Sequence, residues 1–164
     1  RIDDFAYIPQ QNIAHAMTAL MAQNKGAKKT DRIKAAFRCG MKIELIYGIF
    51  IFFVCFFLAH PLMQLFSSDP VVCKHGVTYL KLISLMYLFP AVTNGVQGYF
   101  RGIGDLKITL ISSFVNMSVR VVFAAVLVFH FSLQIEALPF SYLAGWIGML
   151  VAEIPLLIYF LSYT

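Results

Sequence analysis

The sequence predicts an all-α protein, a polytopic bundle of transmembrane helices, and three observations support this prediction. Of the 164 residues, 60% are hydrophobic and only 13% are charged, whereas a soluble domain carries about 25% charged residues. The mean hydropathy of the chain is +0.77. Apolar segments long enough to cross a bilayer core of about 30 Å recur along its length. We therefore expect an integral membrane protein that is surrounded by membrane lipids.

Five segments of the chain are predicted to span the membrane, each with roughly the 20 residues that a transmembrane helix needs. They cover residues 5–24, 43–66, 77–100, 108–131 and 137–163. Pro9 is expected to kink the first segment or to mark its start. Pro90, Gly95 and Gly98 in the third segment predict a kink or close packing against neighbouring helices. Asp69 before Pro70 predicts an N-cap for the helix of the third segment.

The connector between the first two segments, residues 25–42, is strongly basic. It holds seven of the 13 Lys and Arg residues, namely Lys25, Lys28, Lys29, Arg32, Lys34, Arg38 and Lys42. Short loops rich in Lys and Arg stay on the cytoplasmic side of a membrane, because translocating those charges is costly. We therefore predict a cytoplasmic connector in the plasma (inner) membrane. Gly26 is expected to end the preceding helix in a left-handed conformation.

The remaining composition argues against several other classes of protein. The net charge of +5 is explained by topology and by anionic lipid headgroups, and no aromatic–basic interleaving predicts nucleic-acid binding. Neither a hydrolase triad nor a phosphate loop is apparent, and the glycines near residue 100 follow a predicted membrane helix rather than a strand. The three cysteines have no zinc or thioredoxin spacing. We expect neither an enzyme nor a metal protein.

Several polar residues within the segments are candidate cavity or ion-coupling residues. Gln11, His15 and Thr18 share one helical face because they lie at positions i, i+4 and i+7. This face cannot contact lipid without leaving polar groups unsatisfied, so it predicts either hydrogen bonds between helices or a polar cavity wall. Asn94 and Gln97, in the inner half of the third segment, are further candidates for a cavity wall.

Charged residues inside the segments predict two further features. Arg120 lies roughly 20 Å from the cytoplasmic face by its helical rise, at a depth similar to Lys81. Because two cations repel each other, Glu136 or helix carbonyls are better partners, and we predict a gating or structural ion pair on the outer side. Glu44 and Glu153 lie nearer the cytoplasmic side, where snorkelling to the interface is the default expectation.

The string MAQNKGAKKTDRIKAAFRCG at residues 21–40 resembles the signature of the multidrug and toxin extrusion (MATE) transporters. The motifs LFSSDP at 65–70, YLKLISLMY at 79–87 and GYFRGIGDLK at 98–107 follow in the order found in that family, with Arg120 in the next helix. The resemblance implies that the chain is a fragment of something longer. Its five segments would be helices eight to twelve of a two-lobed, twelve-helix transporter, and its partner would be the missing N-terminal lobe.

The resemblance also implies a function. MATE transporters are secondary active antiporters that export drugs or organic cations in exchange for Na⁺ or H⁺ by alternating access, with no cofactor besides the coupling ion. Some members carry a coupling carboxylate in the tenth helix, but residues 77–100 contain no Asp or Glu. His15, Glu44 and Glu153 are therefore the candidate coupling residues in this chain. Two alternatives remain, a lipid-linked oligosaccharide flippase of related fold and a non-transporting membrane subunit.

Overall fold

The computed structural model describes residues 2–130 and 137–163, and all regular structure within these ranges is α-helical. The helices are α1 (Ile2–Gly26), α2 (Thr30–Phe57), α3 (Ala59–Gln64), α4 (Pro70–Ser84), α5 (Leu88–Gly102), α6 (Leu106–Phe129) and α7 (Ala137–Tyr163). The prediction of an all-α helix bundle is confirmed for these residues. Pro9 lies inside α1, so it does not mark the start of that helix.

Helix α5 lies at the centre of the bundle and packs against α1, α2, α6 and α7. Two glycines one helical turn apart, Gly98 and Gly102, bring it close to α1. A Cβ atom at Gly98 would lie 2.9 Å from the Ala14 carbonyl oxygen, and one at Gly102 would lie 2.6 Å from the Met21 Cβ. This spacing of small residues is a common device for close packing of membrane helices. The close packing predicted at Gly98 is therefore present, and Gly102 adds to it.

The third predicted segment is a pair of helices, α4 and α5, rather than one continuous helix. The two axes are bent by 50° at the break between Ser84 and Leu88. Pro90 is the third residue of α5, where proline is tolerated because the first-turn N–H groups have no intrahelical partner. The bend predicted for this segment is therefore present, and it precedes the proline. At the start of α4, the Asp69 side chain accepts a hydrogen bond from the Val71 N–H at 2.8 Å, which confirms the predicted N-cap.

The basic connector differs from its prediction in length. Helix α1 ends at Gly26 and α2 begins at Thr30, so only residues 27–29 separate the two helices. The rest of the stretch 25–42 forms the first turns of α2, because it contains helix-forming Ala, Lys and Arg residues and no proline. The expected left-handed residue is also displaced. It is Lys28, with φ of 54°, and not Gly26.

Membrane-spanning capacity is not the same for all the helices. By length and composition, three of the described helices could cross a membrane, namely Thr30–Phe57, Leu106–Phe129 and Ala137–Ser162. The bent pair α4 and α5 provides a fourth if the two count as one span. Helix α1, which corresponds to the predicted segment 5–24, is not among them. Its amide and imidazole side chains lower its hydropathy, which is why the five spans stay a prediction.

Candidate functional site: a polar cavity between α5, α6 and α7

A cavity of about 490 Å³ opens between α1, α5, α6 and α7. Its polar and aromatic lining residues are Tyr7, Thr93, Asn94, Gln97, Ser113, Asn116, Arg120, Ser141, Tyr142 and Trp146. None of the described lining residues is acidic. Cavities of this size, with aromatic walls and a few fixed polar groups, are typical of small-molecule sites.

Three aromatic rings and Arg120 form one continuous wall of the cavity. The Trp146 Nε1 donates a hydrogen bond to the Tyr7 hydroxyl at 3.0 Å, and the two rings stack with centroids 6.3 Å apart. The Tyr142 and Trp146 centroids are 5.7 Å apart. The guanidinium carbon of Arg120 lies 3.7 Å from the Tyr142 ring centroid, which is a close cation–π contact. These contacts fix an aromatic surface that carries a positive charge at one end.

Gly145 makes the position of Arg120 possible. A Cβ atom at residue 145 would lie 2.4 Å from the Arg120 Cγ and 2.8 Å from its Cδ. These atoms belong to the part of the side chain nearest the backbone, so they cannot move away without displacing the guanidinium group. The glycine on α7 therefore lets the arginine stem cross the helix and reach the Tyr142 ring.

Behind the α5 wall of the cavity lies a buried carboxyl group, that of Glu153. The Gln97 Nε2 donates a hydrogen bond to the Glu153 Oε1 at 3.4 Å, and the Arg101 guanidinium donates one to the Gln97 Oε1 at 2.7 Å. The Ser112 hydroxyl, which donates a hydrogen bond to the Thr109 carbonyl oxygen at 3.2 Å, lies near this carboxyl group. Glu153 is fully buried, and its Oε2 has no hydrogen-bond partner among the described residues. Gln97 therefore links the cavity to a buried acid.

This arrangement corrects the expectation that Glu153 snorkels to the interface. The side chain points into the protein, where the Gln97 amide donates a hydrogen bond to it. Snorkelling is also the expectation for Glu44, and this residue is fully buried as well. Neither carboxylate oxygen of Glu44 has a hydrogen-bond partner among the described residues.

The predicted polar face of α1 does not form a wall of this cavity. Gln11 and His15 are exposed on the surface of the chain and are not among the lining residues. Thr18 lies in the contact with α5, where its hydroxyl donates to the Ala14 carbonyl at 2.9 Å and lies 3.2 Å from the Gly98 carbonyl. Of the two alternatives predicted for this polar face, Thr18 therefore fits the first, a hydrogen bond between helices. Asn94 and Gln97 do line the cavity.

The ion pair predicted between Arg120 and Glu136 stays a prediction. Arg120 contacts the Tyr142 ring, while the proposed partner Glu136 lies outside the described residues. Lys81 is exposed, and its Nζ lies 5.8 Å from the Phe56 ring centroid. It is not among the cavity-lining residues. Arg120 and Lys81 therefore lie at different sites in the bundle, and only Arg120 lines the cavity.

Sequence reasoning missed Gln10, which occupies the buried position next to the predicted Gln11. Gln10 is 1% exposed, and its Nε2 lies 3.4 Å from the Tyr87 carbonyl oxygen that accepts its hydrogen bond. It also missed the aromatic wall, because the wall's rings come from α1 and α7, which are far apart in the sequence. A signal for the cavity itself was present on α6, where Ser113, Asn116 and Arg120 lie on one face of a mostly apolar helix.

The described residues contain no group of three or more His, Cys, Asp or Glu side chains that could hold a metal ion. The cavity itself offers amide and hydroxyl groups, aromatic faces and one guanidinium group. These groups can hold an organic molecule by aromatic contacts, hydrogen bonds and one positive charge.

Comparison with known proteins gives one consistent result. The family model MatE matches residues 1–126. The probable multidrug resistance protein NorM of Thermotoga maritima is 26% identical over 150 residues, which cover 91% of this chain and 31% of that protein. An FAD transporter of Shewanella oneidensis is 25% identical over 114 residues, which cover 67% of this chain and 25% of that protein. The chain therefore spans about a third or less of the length of these relatives.

A solved structure shows the same fold. It is described as the inward-facing conformation of a multidrug resistance MATE family transporter of the MOP superfamily, and it superposes on this chain with a TM-score of 0.87 at 19% identity. The superposition covers all of this chain and 39% of the solved one. The family model matches well over half of the chain, which confirms the resemblance predicted from the motifs. The chain belongs to the MatE family of integral membrane transporters.

Proposed function

We propose that this chain is part of a secondary active antiporter that exports drugs or organic cations in exchange for Na⁺ or H⁺ by alternating access. Three findings support the proposal: the membership of the MatE family, the fold of a multidrug transporter, and a cavity of small-molecule size with aromatic walls. The cavity would be the part of the substrate site that this chain contributes. The rest of the longer transporter, including its N-terminal lobe, would complete the site in the plasma membrane.

The observation that carries the proposal is the position of Gln97 between the cavity and Glu153. One side of Gln97 lines the cavity, while its amide nitrogen donates to the Glu153 carboxylate. Arg101 holds the amide oxygen, so the orientation of the amide depends on both charged neighbours. A proton or Na⁺ that binds Glu153 competes with the Gln97 hydrogen bond. Binding of the ion to Glu153 would therefore change the orientation of the Gln97 amide in the cavity wall.

This arrangement gives Glu153 the role of the coupling residue. A carboxyl group buried in a membrane protein is costly unless it is protonated or matched by a cation. Ser112, Gln97 and the nearby Arg101 reduce that cost for the charged form without abolishing it, because the Oε2 has no partner among the described residues. The group is therefore suited to reversible loading. Of the other two candidates, His15 is exposed and lies away from the cavity lining, and Glu44 is buried but does not line the cavity.

A second candidate substrate class is an aromatic anion, because the cavity carries the Arg120 cation and its described lining has no acidic residue. A relative that covers two thirds of this chain is named an FAD transporter. A planar anion could stack near Trp146 and pair with the guanidinium group, whereas an organic cation would need its counter-charge from the other lobe. A flippase for lipid-linked phosphates is less well supported, since Arg120 is the one cation among the described lining residues.

The experiment compares efflux of a cationic aromatic dye, ethidium, with that of an anionic one, a carboxyfluorescein, from cells that make the full-length protein. Both dyes are followed with and without an imposed Na⁺ or H⁺ gradient. We expect gradient-dependent export of at least one dye, and its charge identifies the substrate class. Matched controls are cells with the empty vector and cells with the Gln11→Ala variant, because Gln11 is exposed and does not line the cavity.

No gradient-dependent export of either dye, from cells in which the protein reaches the membrane, would contradict the antiporter proposal. That result would favour a flippase or a non-transporting subunit. Export that depends on ATP but not on either ion gradient would contradict secondary active transport in particular.

A further inference from the structure

A second large cavity lies next to the basic connector. It has a volume of about 710 Å³ and is formed by the end of α1, the residues around the α1–α2 loop, the α5–α6 turn and the end of α7. Three of its lining residues are cationic, namely Lys25, Lys28 and Lys107, and one, Asp105, is anionic. The proposed transport cycle uses none of these residues. The cavity is distinct from the one that contains Gln97 and Arg120.

Two of the three lysines are available to a ligand. The Lys25 ammonium donates a hydrogen bond to the Ile103 carbonyl at the end of α5, which fixes its charge at the rim of the cavity. The side chains of Lys28 and Lys107 are exposed, and their ammonium groups make no hydrogen bond or ion pair within the described ranges 2–130 and 137–163. Asp105 is the one described acidic lining residue, so the cavity has an excess of two positive charges. An anion would be attracted to it.

The backbone around the cavity adds to this positive potential. The cavity lining includes Thr30, the first residue of α2, and Leu106, the first residue of α6. The N-cap residues of these helices are Lys29 and Asp105, and neither makes a side-chain capping hydrogen bond. Helix N-termini carry a partial positive charge and favour phosphate groups. The two helix N-termini add to the positive potential of the lysines, which supply most of the positive charge at the cavity.

The remaining walls of the cavity are apolar. They include Ile33, Tyr99, Ile103 and Phe160, together with Leu106, which is 57% exposed. A small soluble phosphate compound has no apolar part that would bury this surface, whereas an acyl chain can pack along it. Basic pockets between transmembrane helices on the cytoplasmic side are known to suit acidic lipid headgroups. The basic connector predicts that this side of the bundle is the cytoplasmic one.

We propose that this cavity binds the phosphate headgroup of an anionic phospholipid from the cytoplasmic leaflet. The phosphate lies between Lys28 and Lys107, near the N-terminal N–H groups of α6. The acyl chains leave past Leu106 and Phe160 toward the bilayer. A lipid held there touches α1, α2, α5, α6 and α7 at one end, so it ties together the loops that connect these helices. This inference concerns lipid binding alone and does not rest on the proposed transport function.

The test uses the full-length protein in nanodiscs that contain phosphatidylcholine and phosphatidylglycerol, followed by native mass spectrometry to count retained lipids. The variant is Lys28→Ala/Lys107→Ala. Its matched control is Arg38→Ala/Lys42→Ala, which removes the same charge from the same side of the protein at two exposed positions outside the cavity lining. We expect the cavity variant to lose phosphatidylglycerol retention roughly tenfold, because each lysine near the membrane surface contributes to the binding of an anionic lipid. The control retains it.

Equal phosphatidylglycerol retention by wild type, cavity variant and control overturns the proposal. A soluble occupant is tested separately by titrating glycerol 3-phosphate into the protein in pure phosphatidylcholine nanodiscs. If it binds as tightly as the lipid, the site serves soluble phosphate compounds and the lipid assignment is wrong. Size-exclusion profiles and thermal unfolding establish that both double variants fold. Because all four substituted side chains are exposed, we expect their unfolding temperatures to match that of the wild type.

Discussion

The Gln97 side chain hydrogen-bonds with Glu153 across the contact between α5 and α7, with 3.4 Å between Nε2 and Oε1. Glu153 is fully buried, whereas Gln97 also lines the polar cavity. The two residues therefore connect a group that can bind a proton or Na⁺ with a surface that can bind a substrate.

Gly98→Ala is expected to destabilise the protein by about 1–3 kcal/mol, which is the usual cost of forcing extra atoms into a packed contact. The added Cβ would lie 2.9 Å from the Ala14 carbonyl oxygen and would push α1 away from α5. Thermal unfolding of the purified full-length protein measures the effect. Gly26→Ala is the matched control, because a Cβ at residue 26 meets nothing within 4 Å. Equal unfolding temperatures for the two variants would contradict the packing argument.

Tyr142→Leu is expected to lower stability and to weaken substrate binding, because it removes the ring against which the Arg120 guanidinium packs. A cation–π contact contributes roughly 0.5–2 kcal/mol, depending on how far it is desolvated. Drug binding measured by tryptophan fluorescence would report the change at the neighbouring Trp146. Tyr142→Phe keeps the aromatic ring and serves as the control. If Leu and Phe variants bind drugs equally well, the aromatic wall is not part of the site.

Arg120→Gln is expected to change the charge preference of the transporter rather than to abolish transport. Loss of the guanidinium group removes the one cation among the described lining residues, so export of an anionic dye should fall more than that of a cationic dye. The ratio of the two export rates is the measurement. An unchanged ratio would show that Arg120 has a structural role alone. Gly145→Ala should shift the ratio in the same direction, since its Cβ displaces the arginine stem.

Glu44→Gln is expected to leave stability unchanged or to raise it. Both carboxylate oxygens of Glu44 are buried without hydrogen-bond partners among the described residues, so neutralising the group removes a desolvation cost and breaks no described contact. Glu153→Leu, in contrast, removes the hydrogen-bond partner of Gln97 and should destabilise the protein. Thermal unfolding of both variants tests the contrast. A large loss of stability in Glu44→Gln would indicate that Glu44 holds a cation.

The all-α class could be predicted from the sequence because long apolar runs have a local cause. The division of the predicted segment 43–66 into α2 and α3, and the start of α2 at Thr30, were not predicted. The bend before Pro90, the close approach at Gly98 and the cap at Asp69 follow from local chemistry in the same way. The burial of Glu44 and Glu153 could not be predicted. Counting residues along a helix gives depth in the membrane, but it does not say which side of the helix faces the bundle.

The candidate site was predicted only in part for the same reason. Asn94 and Gln97 were identified because they lie among glycines on a polar stretch of α5. Gln11 was chosen on α1, whereas its neighbour Gln10 is the buried residue, because a helix with polar side chains on several faces does not reveal its orientation. Tyr7 and Trp146 are 139 residues apart in the chain and meet through a hydrogen bond. Such a contact between distant segments has no local signal.

The central claim is that Glu153 couples an ion gradient to the cavity through Gln97. The most direct measurement is drug uptake into proteoliposomes that contain the full-length protein, driven by an imposed Na⁺ or H⁺ gradient, together with equilibrium drug binding. We predict that Glu153→Gln abolishes gradient-driven uptake while drug binding changes less than about threefold, because Gln has the same shape but cannot bind a proton or balance a cation. Gradient-driven uptake by Glu153→Gln at the wild-type rate would contradict the claim.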